Sequence, residues 1–447
     1  MNAQATQQPY TAVVGLGQTG LACARFLCAR GVAVRVTDSR EQPPGLDALR
    51  RELPAVPVSL GALDGALLCG AEQVVLSPGV DPAEPAVQMA RERGVPVIGE
   101  IELFARHARA PVIAITGSNG KSTVTSLVGE MAQAAGVDVA VGGNLGTNAL
   151  ALIREPEAEL YVLELSSFQL ETTDTLAPVA AAVLNLSADH LDRYSGMAEY
   201  AAAKERIYRH ARLLVVNRDD PAVRAMARSG RRVMGFTLHE PTRGDYGLRA
   251  HQGGLWLARG EQPLLDCTQL KIAGRHNQAN ALAALALGEA AGLPLQAMLG
   301  ALRAFTGLPH RTEWVGEGGG VRWYNDSKGT NVGATLAAVQ GLPGPLVLIM
   351  GGIDKDGDFS PLRDPLVEKA RGVILIGRDA PRIEQALRGA VRMRRAGDMG
   401  EAVRLAAELA EPGDAVLLSP ACASFDMYSG FEARGDDFRR RAREVLA

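Results

Sequence analysis

The sequence predicts an α/β protein built from three domains. Short apolar runs rich in valine, isoleucine and leucine alternate with longer helical runs along the chain, which is typical of parallel sheets covered by helices. The chain has 447 residues, whereas single hydrophobic cores stop growing at roughly 250 to 300 residues. Hydrophobic residues at 47% and charged residues at 22% are typical of a globular protein.

The first segment, residues 1–99, has the pattern of a Rossmann-like domain. Residues 11–14 and 32–38 are predicted strands, and residues 21–30 between them are a predicted helix. A further strand is predicted at 73–79, where Pro and Gly close it with a turn. These elements predict a βαβ unit that continues into a parallel sheet.

Two further segments show the same alternation. For residues 100–306 we expect a doubly wound sheet similar to that of P-loop ATPases, with a small β insertion at 233–272 and a helix at 276–292. Its predicted strands are 111–116, 159–165, 179–186 and 212–217. For residues 307–447 we expect a second Rossmann-like domain. Its predicted strands are 321–326, 345–352, 372–377 and 414–420.

Charge and cysteine content exclude several classes of protein. The net charge of -3, from 47 basic and 50 acidic residues, gives no general basic field for nucleic acid. Five scattered cysteines without a C-x-x-C pair indicate free thiols rather than a disulfide framework or zinc site. The N-terminus has no signal-peptide pattern, and no run reaches the roughly 18 apolar residues of a membrane span. We therefore expect a cytoplasmic protein without membrane insertion.

Residues 114–124, AITGSNGKSTV, are similar to a phosphate loop but are too short for the common pattern G-x-x-x-x-G-K-[ST], because Ile115 stands where its first glycine would be. An apolar strand runs into Gly117 and Gly120, and a helix is predicted to follow. Backbone N–H groups at such a helix start bind anions, and Lys121 adds a positive charge. A plain glycine turn with an exposed lysine is the alternative.

Two predicted strand ends add metal-ligand candidates. Ser122 could ligate Mg²⁺ or cap the helix, and Thr123 could share that task. Glu164 ends one predicted strand and His190 follows another, and parallel sheets bind ligands at this edge. Taken alone, Glu164 could be a helix cap or surface partner and His190 a structural hydrogen-bonding group. Their position beside a phosphate loop favours a shared ion.

Lys204 lies among alanines in a predicted helix, with Tyr200 and Tyr208 one turn to either side. If this lysine is buried, its ammonium loses affinity for protons, and the uncharged amine can act as a nucleophile. The alternative is a surface lysine whose stem lies along the helix.

The first segment also carries GLGQTG at residues 15–20, with Asp38 placed 18 residues after Gly20. Read alone, this fingerprint predicts NAD, with the pyrophosphate on the helix start and Asp38 on a ribose hydroxyl. An NAD-dependent oxidoreductase is therefore the competing function, and a Rossmann turn without a ligand also remains open. Nothing downstream supports hydride transfer, and a second phosphate loop would be left without a purpose.

Eight motifs occur together along the chain: GSNGKST, ELSSFQLE, LNLSADHLDRY, AAAKERIY, GRHNQAN, LPHRTE, NDSKGTN and SPACASFD. In this order they resemble the Mur ligases, the ATP-dependent amino-acid ligases of peptidoglycan assembly. The family's loop is GTNGKT-like, so the departure at Ile115 is the family's own form. ELSSFQLE, NDSKGTN and SPACAS are most similar to the member that adds D-glutamate, rather than to those that add alanine or diaminopimelate.

The resemblance implies ATP and two Mg²⁺ ions as cofactors, with Lys121, His190 and Lys204 as catalytic residues. ATP would be held by Gly117, Asn119, Gly120, Lys121, Ser122, Thr123, Asn277, Asn280, Arg311, Asp326 and Lys328. Ser122 and Glu164 would bind one ion, and His190 with Lys204 as its carbamate would bind the second.

The resemblance also implies sites for two small-molecule substrates. UDP-N-acetylmuramoyl-L-alanine would contact Gly15, Gln18, Thr19, Asp38, Arg40, Ser77, Asn144 and His190. D-Glutamate would contact Thr330, Lys355, Ser424 and Phe431. The loop at 351–359, GGIDKDGDF, which contains Lys355, departs from the GGDGK form expected of the family.

The implied reaction joins the L-alanyl carboxylate to the D-glutamate amine through an acyl phosphate, and the third domain is expected to close over the second as a lid. The linker 305–309 has the glycine and proline of a hinge, although a rigid turn fits equally. A monomer is expected. A glutamate ligase acting on folate is a third possibility, but that class lacks a first domain like residues 1–99.

Overall fold

The computed structural model of the chain describes residues 9–189, 193–227, 230–354 and 357–446. Over these ranges the strands form separate sheets in the first, second and third parts of the chain, as the sequence predicts. Among the described residues, no helix has both the length and the apolar composition to cross a bilayer. All five cysteines are free thiols.

The first sheet is parallel, with strand order β3-β2-β1-β4-β5. Its strands are β1 Thr11–Val14, β2 Val34–Asp38, β3 Val58–Leu60, β4 Gln73–Leu76 and β5 Val97–Gly99. Its helices are α1 Gln18–Cys28, α2 Leu46–Glu52, α3 Gly65–Cys69 and α4 Pro85–Glu92, and α5 Glu100–Ala105 leads into the second sheet. The strand order reverses between β1 and β4, and a crevice for ligands forms at such a point.

The central sheet has the order β14-β13-β12-β11-β10-β9-β6-β8-β7. Its strands are β6 Val112–Thr116, β7 Val139–Gly143, β8 Leu160–Glu164, β9 Ala180–Val183, β10 Leu213–Asn217, β11 Val233–Phe236, β12 Tyr246–His251, β13 Gly254–Arg259 and β14 Gln262–Asp266. Its helices are α6 Lys121–Ala134, α7 Ser167–Glu171, α8 Met197–Glu205, α9 Pro221–Met226, α10 Arg275–Ala290 and α11 Leu295–Ala304.

The predicted β insertion is not a separate unit. Strand β11 pairs in parallel with β10 and continues the main sheet, and β12, β13 and β14 extend the same sheet as antiparallel hairpins. The alanine-rich α10 is buried over residues 280–288 because it packs against α6 and the sheet. Such a helix has no polar face, which explains its uninterrupted run of small and apolar residues.

The third sheet has the order β15-β16-β20-β17-β18-β19, with β15 antiparallel at one edge. Its strands are β15 Glu313–Gly318, β16 Val321–Asn325, β17 Leu346–Gly351, β18 Ala370–Ile376, β19 Met393–Arg395 and β20 Ala415–Leu418. Its helices are α12 Val332–Gly341, α13 Arg363–Lys369, α14 Ala380–Ala386, α15 Met399–Leu409 and α16 Phe431–Leu446. The domain boundaries that we propose, after residues 99 and 306, fall at the end of β5 and shortly after α11.

Strand order in the central sheet positions the site. Strand β6 lies between β9 and β8, and all three are parallel and fully buried. Their carboxyl ends therefore meet at one edge of the sheet, where ligands bind in open α/β folds. This edge carries the glycine loop after β6, Glu164 at the end of β8, and the segment 184–189 after β9.

Candidate active site

The phosphate loop forms as the sequence predicts. Gly120 precedes α6 with φ of 82°, and no side chain caps the helix, so the first N–H groups of α6 are free of a side-chain acceptor. A Cβ at Gly120 would lie 2.5 Å from Oδ1 of Asn280, so only glycine fits. The Lys121 ammonium donates to the carbonyls of Gly117 at 2.9 Å and Ser118 at 3.0 Å. The loop therefore combines free amides with a positive charge, as anion binding requires.

The segment after β9 supports this loop from one side. Oδ1 of Asn185 accepts from the backbone N–H of Asn119 at 2.8 Å, and its Nδ2 donates to the Asn119 carbonyl at 3.0 Å. The Ser118 hydroxyl donates to the Ser187 carbonyl at 3.0 Å. Asn185 and Ser187 were not among the predicted site residues, although both stand inside the motif LNLSADHLDRY. Pairing along this motif fixes the loop before any ligand binds.

Glu164 and Ser122 form the candidate metal site. The Ser122 hydroxyl donates to Oε2 of Glu164 at 2.6 Å, and Nδ2 of Asn144 donates to Oε1 at 2.9 Å. Arg311 from the third domain donates to Oγ of Ser122 at 2.5 Å. Glu164 is only 3% exposed, so the alternative of a surface partner is wrong. The serine oxygen and the carboxylate are hard donors, and they fit Mg²⁺.

Lys204 is buried, which makes the alternative of a surface lysine wrong. Its side chain is 1% exposed, and Nζ donates to the Gly117 carbonyl at 3.0 Å and to Oγ1 of Thr116 at 3.3 Å. Burial lowers the pKa of Lys204 well below its ordinary value; the nearby Lys121 ammonium adds to the effect, and the carboxylates of Asp189 and Glu164 oppose it. The amine is therefore poised to lose its proton.

Two predicted residues, His190 and Lys355, lie outside the described residues. Among the described residues, no group of three or more His, Cys, Asp and Glu side chains gathers as a metal cluster. The structural basis for a metal site is therefore the pair of Glu164 and Ser122, with the amine of Lys204 close to the same loop.

A cleft of about 250 Å³ opens beside the loop, between the central and third domains. Predicted nucleotide residues that line it are Asn119, Gly120, Thr123, Asn277, Asn280, Arg311, Asp326 and Lys328. Lining residues that were not among the predicted ones include Asn185, Ser187, Asn217, Phe236, His276 and Thr312. His276 and Thr312 stand beside predicted residues in GRHNQAN and LPHRTE, so their motifs carried a signal. The cleft gathers polar groups from distant parts of the sequence.

Burial changes the proton affinity of the third-domain residues in this cleft. Asp326 accepts from the backbone N–H of Thr312 at 3.0 Å and from the Ser419 hydroxyl at 2.7 Å. Burial nevertheless raises the pKa of Asp326 to about 6. Burial, with the charges of Arg311 and Lys121, lowers the pKa of Lys328 to about 8. Charged groups held this way are common at functional sites.

The first-domain fingerprint forms a tight turn between β1 and α1. Gly15 has φ of 85°, and its carbonyl accepts from the Ser77 hydroxyl at 2.8 Å. Asp38 accepts from the backbone N–H of Leu16 at 2.6 Å and from the Arg40 guanidinium at 2.7 and 2.9 Å. Burial disfavours the Asp38 carboxylate, but Arg40 and backbone N–H groups outweigh it and lower its pKa to about 2. Both Asp38 oxygens are therefore occupied within the protein.

The first turn of α1 completes this cradle. No side chain caps the helix, whose first residues are Gln18, exposed to solvent, and Thr19, half-buried. The helix start therefore presents free N–H groups beside two polar side chains. Such a site suits the phosphate groups of a nucleotide.

Of the described residues assigned to D-glutamate, Thr330 and Ser424 lie on loops of the third domain and Phe431 begins α16. The backbone N–H of Thr330 donates to the Lys328 carbonyl at 2.8 Å, and the Lys328 ammonium lies 4.0 Å from the centre of the Phe431 ring. Ser424 is 3% exposed. Arg434 was not among the predicted residues; it is 1% exposed and donates to Ser327 Oγ, the Ser327 carbonyl and the Cys422 carbonyl. This guanidinium ties the NDSKGTN and SPACASFD motifs together.

Three family models together match most of the chain. The MurD-like N-terminal domain of Mur ligases matches residues 10–99, the Mur ligase middle domain matches 115–288, and the Mur ligase glutamate ligase domain matches 310–422. Similar proteins named UDP-N-acetylmuramoylalanine–D-glutamate ligase occur in Nitrosococcus oceani, at 57% identity over 97% of this chain and 96% of the relative, and in Pseudomonas aeruginosa, at 54% identity over 97% of each.

Solved structures show the same fold at low identity. The pseudomurein peptide ligase type C of Methanothermus fervidus has a TM-score of 0.62 at 18% identity and covers 98% of this chain and 100% of its own. MurF ligase from Thermotoga maritima in complex with ADP has a TM-score of 0.61 at 18% identity, covering 85% of this chain and 91% of its own. With three family domains in order and relatives above half identity, the chain belongs to the Mur ligase family.

Proposed function

We propose that this protein is an ATP-dependent ligase that joins the L-alanyl carboxylate of UDP-N-acetylmuramoyl-L-alanine to the amine of D-glutamate in peptidoglycan synthesis. One observation carries the proposal: Ser122 and Glu164, beside Lys121, meet the third-domain residue Arg311 at the phosphate loop, next to a cleft that Arg311 also lines. They do so in a chain that is 57% identical to a relative named for this reaction. The comparisons support neither the oxidoreductase nor the folate-type ligase.

The glycine loop is the proposed site of the ATP phosphates. The Lys121 ammonium, which now donates to two loop carbonyls, would turn to the phosphate oxygens. Asn277 and Asn280 on α10, with Asp326 and Lys328 of the third domain, would surround the nucleoside in the cleft. This placement explains why the cleft takes residues from two domains.

Mg²⁺ would be held by Ser122 and Glu164, and a second ion by His190 and Lys204. When bound, the ions supply positive charge that offsets the charge of the phosphates. Lys204 is a metal ligand only as its carbamate, which forms when the uncharged amine attacks the carbon of CO₂ and releases a proton. The depressed pKa and the buried position of Lys204 favour this reaction.

The proposed chemistry has two steps. The L-alanyl carboxylate attacks the γ-phosphorus of ATP in line, the bond to the β,γ-bridging oxygen breaks and ADP leaves, and Lys121 stabilises the charge that develops on the phosphoryl oxygens. The D-glutamate amine then attacks the acyl phosphate carbon, and phosphate leaves from the tetrahedral intermediate. Closing of the third domain keeps water from the acyl phosphate.

The substrates would approach from opposite sides. The first-domain turn, with Gly15, Gln18 and Thr19, would hold the UDP group, and Asp38 would act by fixing Arg40 beside it. Ser77 and Asn144 would contact the same substrate. Thr330, Ser424, Phe431 and Lys355 would receive D-glutamate. We further propose a cytoplasmic monomer.

The proposed function is tested by phosphate release from ATP and Mg²⁺ in the presence of UDP-N-acetylmuramoyl-L-alanine. We expect release only when D-glutamate is added, and a loss of about 100-fold or more in Lys121→Ala, because that variant removes the phosphate-binding charge. The exposed Lys271 provides the matched control, Lys271→Ala. Release that ignores D-glutamate, or tight NADH binding, would contradict the proposal.

The Lys204 carbamate has a separate test that needs no turnover. Protein equilibrated with ¹³CO₂ is expected to show one carbamate carbon signal by NMR that disappears in Lys204→Ala and persists in Lys271→Ala. The buried amine is the expected target because burial keeps it uncharged. A carbamate signal that survives in Lys204→Ala would show that the modified lysine is another one.

A further inference from the structure

Glu100 is a buried carboxylate that the proposed chemistry does not use. It directly follows β5, the last strand of the first sheet, and opens α5. Its side chain is 2% exposed. Burial raises the pKa of Glu100 to about 7, and the groups that oppose this rise are hydrogen-bond donors, with no basic side chain among them. A buried carboxyl without an ion-pair partner costs stability, so its retention calls for an explanation.

The donors that meet Glu100 come from two segments. The backbone N–H of Ala149 donates to Oε1 at 2.9 Å, and Nε2 of Gln169 donates to Oε2 at 3.4 Å. Leu150 contributes a further backbone N–H. Both carboxylate oxygens therefore act as acceptors, and an ionised carboxylate satisfies all of these donors at once.

The orientation of Gln169 is fixed by a second set of contacts. Its Oε1 accepts from the backbone N–H of Ser166 at 2.9 Å and from the Ser166 hydroxyl at 3.1 Å, in a capping box at the start of α7. Its amide nitrogen must consequently face Glu100. The chain of contacts from Glu100 through Gln169 ends at Ser166, two residues after Glu164.

The other segment leads to Glu164 as well. Ala149 begins a short 3₁₀ turn that follows the loop containing Asn144. Asn144 donates to Oε1 of Glu164 through Nδ2 at 2.9 Å and to the Glu164 carbonyl through its backbone N–H at 2.8 Å. Glu100 thus holds the two segments, 144–149 and 166–169, that lie on either side of Glu164.

The end of the first sheet packs on Thr172, at the C-terminal end of α7. The backbone N–H of Gly99 donates to the Thr172 carbonyl at 3.0 Å, and a Cβ at Gly99 would lie 2.1 Å from Oγ1 of Thr172. Glu100 therefore lies at a closely packed junction between the first domain and the central domain.

We propose that Glu100 is a positioning residue that couples the first domain to Glu164 by accepting hydrogen bonds from the two segments flanking it. The inference rests on the proposed function, in which Glu164 is a metal ligand. It concerns how the chain positions that ligand. Groups that orient metal ligands in this way typically change metal affinity or activity by about 10 to 100-fold when removed.

The test uses an exchange of acceptor and donor. In Glu100→Gln the new NH₂ group must face either the backbone N–H of Ala149 or the side-chain NH₂ of Gln169. Two donors then meet, and the hydrogen bond to that segment is lost. The double variant E100Q/Q169E restores every contact, because the new amide at 100 donates to the new carboxylate at 169, which still accepts from Ser166. The buried carboxylate is thereby moved from position 100 to position 169, and the number of buried carboxylates at the junction is unchanged.

Glu102, on the same helix, gives a matched control. It is 1% exposed and accepts from the backbone N–H groups of Asp174 and Thr175, both at 2.8 Å. Glu102→Gln therefore removes a similar buried acceptor at the same domain junction without touching either segment next to Glu164. Glu102 also accepts from the Arg106 guanidinium and the Thr175 hydroxyl, both at 2.9 Å. Glu102→Gln is therefore expected to cost at least as much stability as Glu100→Gln, so an effect through stability alone would be no smaller in the control.

For Glu100→Gln we expect kcat/KM for the UDP-sugar substrate to fall about tenfold or more and the Mg²⁺ concentration for half activity to rise, with Glu102→Gln within about twofold of the wild type. E100Q/Q169E is expected to recover to within about threefold. A folded Glu100→Gln with wild-type kinetics, or a double variant that stays as impaired or fails to fold, would overturn the inference.

A second readout is independent of turnover. Amide hydrogen exchange over residues 144–150 and 166–170 is expected to accelerate in Glu100→Gln, to return to wild-type rates in E100Q/Q169E, and to stay unchanged in Glu102→Gln. Unchanged exchange in Glu100→Gln would overturn the inference even for an active enzyme. If the variants show this exchange pattern but the wild-type protein consumes no ATP, the result counts against the proposed function and leaves the inference about Glu100 standing.

Discussion

At the scale of single residues, burial decides the chemistry of this site more than residue type does. Lys204 and Lys328 are both lysines in or near the cleft, and burial lowers the pKa of each. Asp326 and Glu100 are both carboxyls, and burial raises the pKa of Asp326 to about 6 and of Glu100 to about 7. The sequence supplies these residue types, but the tertiary fold sets their protonation.

His276 gives a prediction for the pH dependence of stability. It lies in the nucleotide cleft, its Nε2 is 3.1 Å from Oγ1 of Thr312, and burial lowers its pKa to about 4. An unfolded histidine titrates at about 6.5, so protons favour the unfolded chain between the two values. The stability that neutral His276 contributes is present above pH 6.5 and is lost as the pH falls toward 4.

Glutamine at this position keeps a hydrogen-bonding group but does not titrate. Between pH 7 and pH 5 the wild type is expected to lose about 2 kcal/mol more stability than His276→Gln. The midpoint of thermal unfolding at each pH measures the difference. His239→Gln, at an exposed histidine, is the control and should follow the wild type. Equal losses in the wild type and His276→Gln would contradict the prediction.

At the scale of elements, the site is a product of strand order. The carboxyl ends of β9, β6 and β8 lie side by side, so the glycine loop, Glu164 and the segment after β9 become neighbours. Residues of the hydrophobic strands do no chemistry here, but their register aligns the loops. The short helix α7 adds the capping box that orients Gln169.

Gly120 gives a prediction about the phosphate loop. Its φ of 82° strains any other residue, and a Cβ would also meet Asn280 at 2.5 Å. Gly136, just beyond the other end of the same helix, has φ of 76° with nothing within 4 Å of a Cβ. Both Gly→Ala changes are expected to cost about 1 to 2 kcal/mol in backbone strain.

Only Gly120→Ala is expected to weaken ATP binding, by about tenfold or more, since only there does the new methyl group displace a cleft residue. Isothermal titration with an unreactive ATP analogue measures this affinity, and thermal unfolding measures the shared cost. If Gly136→Ala weakened ATP binding as much, strain rather than the clash at the loop would be responsible.

Much of the fold was predictable because buried parallel strands are nearly continuous apolar runs. The strands at 11–14, 111–116 and 414–420 were predicted on this basis and are confirmed. Strand β7, Val139–Gly143, was missed because it lies at a sheet edge, where its alternating burial weakens the apolar signal. Edge strand β15 was missed for a related reason, since its sequence EWVGEG is largely polar.

The candidate site was predictable where a short motif holds both the residue and its partner. Lys121 and its loop are of this kind. Arg434 and Glu100 were not predictable, because each acts through groups far away in the sequence, and their own surroundings, FEARGD and IGEIEL, carry no signal of burial. Such residues become visible only when the tertiary fold brings their partners to them.

At the scale of the whole molecule, the nucleotide cleft is a contact between domains. Arg311 reaches Ser122, and the Asn331 side chain lies 3.3 Å from that of Asn119 and donates to Asp189 at 3.1 Å. The third domain therefore contacts the phosphate loop directly, as the proposed closure over ATP requires. Gly307 in the linker has φ of 91°, which a turn between the two domains requires.

Asn331 gives a prediction about this closure. Its Oδ1 also caps α12 by accepting from the backbone N–H of Ala334 at 2.8 Å. Asn331→Asp keeps the cap but sets a carboxylate beside that of Asp189, and Asn331→Ser keeps a cap without the new charge. We expect ATP affinity to fall about tenfold in Asn331→Asp, because like charges oppose closure.

The measurement is nucleotide affinity together with the radius of gyration by small-angle X-ray scattering. Asn331→Asp is expected to be more extended than Asn331→Ser at low salt and to approach it at high salt, since salt screens the repulsion. Equal affinities in the two variants at low salt would contradict a closing role for this contact.

The central claim is that the loop ending at Lys121 directs the γ-phosphate of ATP to a substrate carboxylate. The most direct measurement follows oxygen: UDP-N-acetylmuramoyl-L-alanine labelled with ¹⁸O in its alanyl carboxylate is converted with ATP, Mg²⁺ and D-glutamate, and the released phosphate is weighed by mass spectrometry. An acyl phosphate requires one labelled oxygen to leave with phosphate as the amide forms. Phosphate that carries one ¹⁸O is the predicted result, and product formation with unlabelled phosphate would contradict the account.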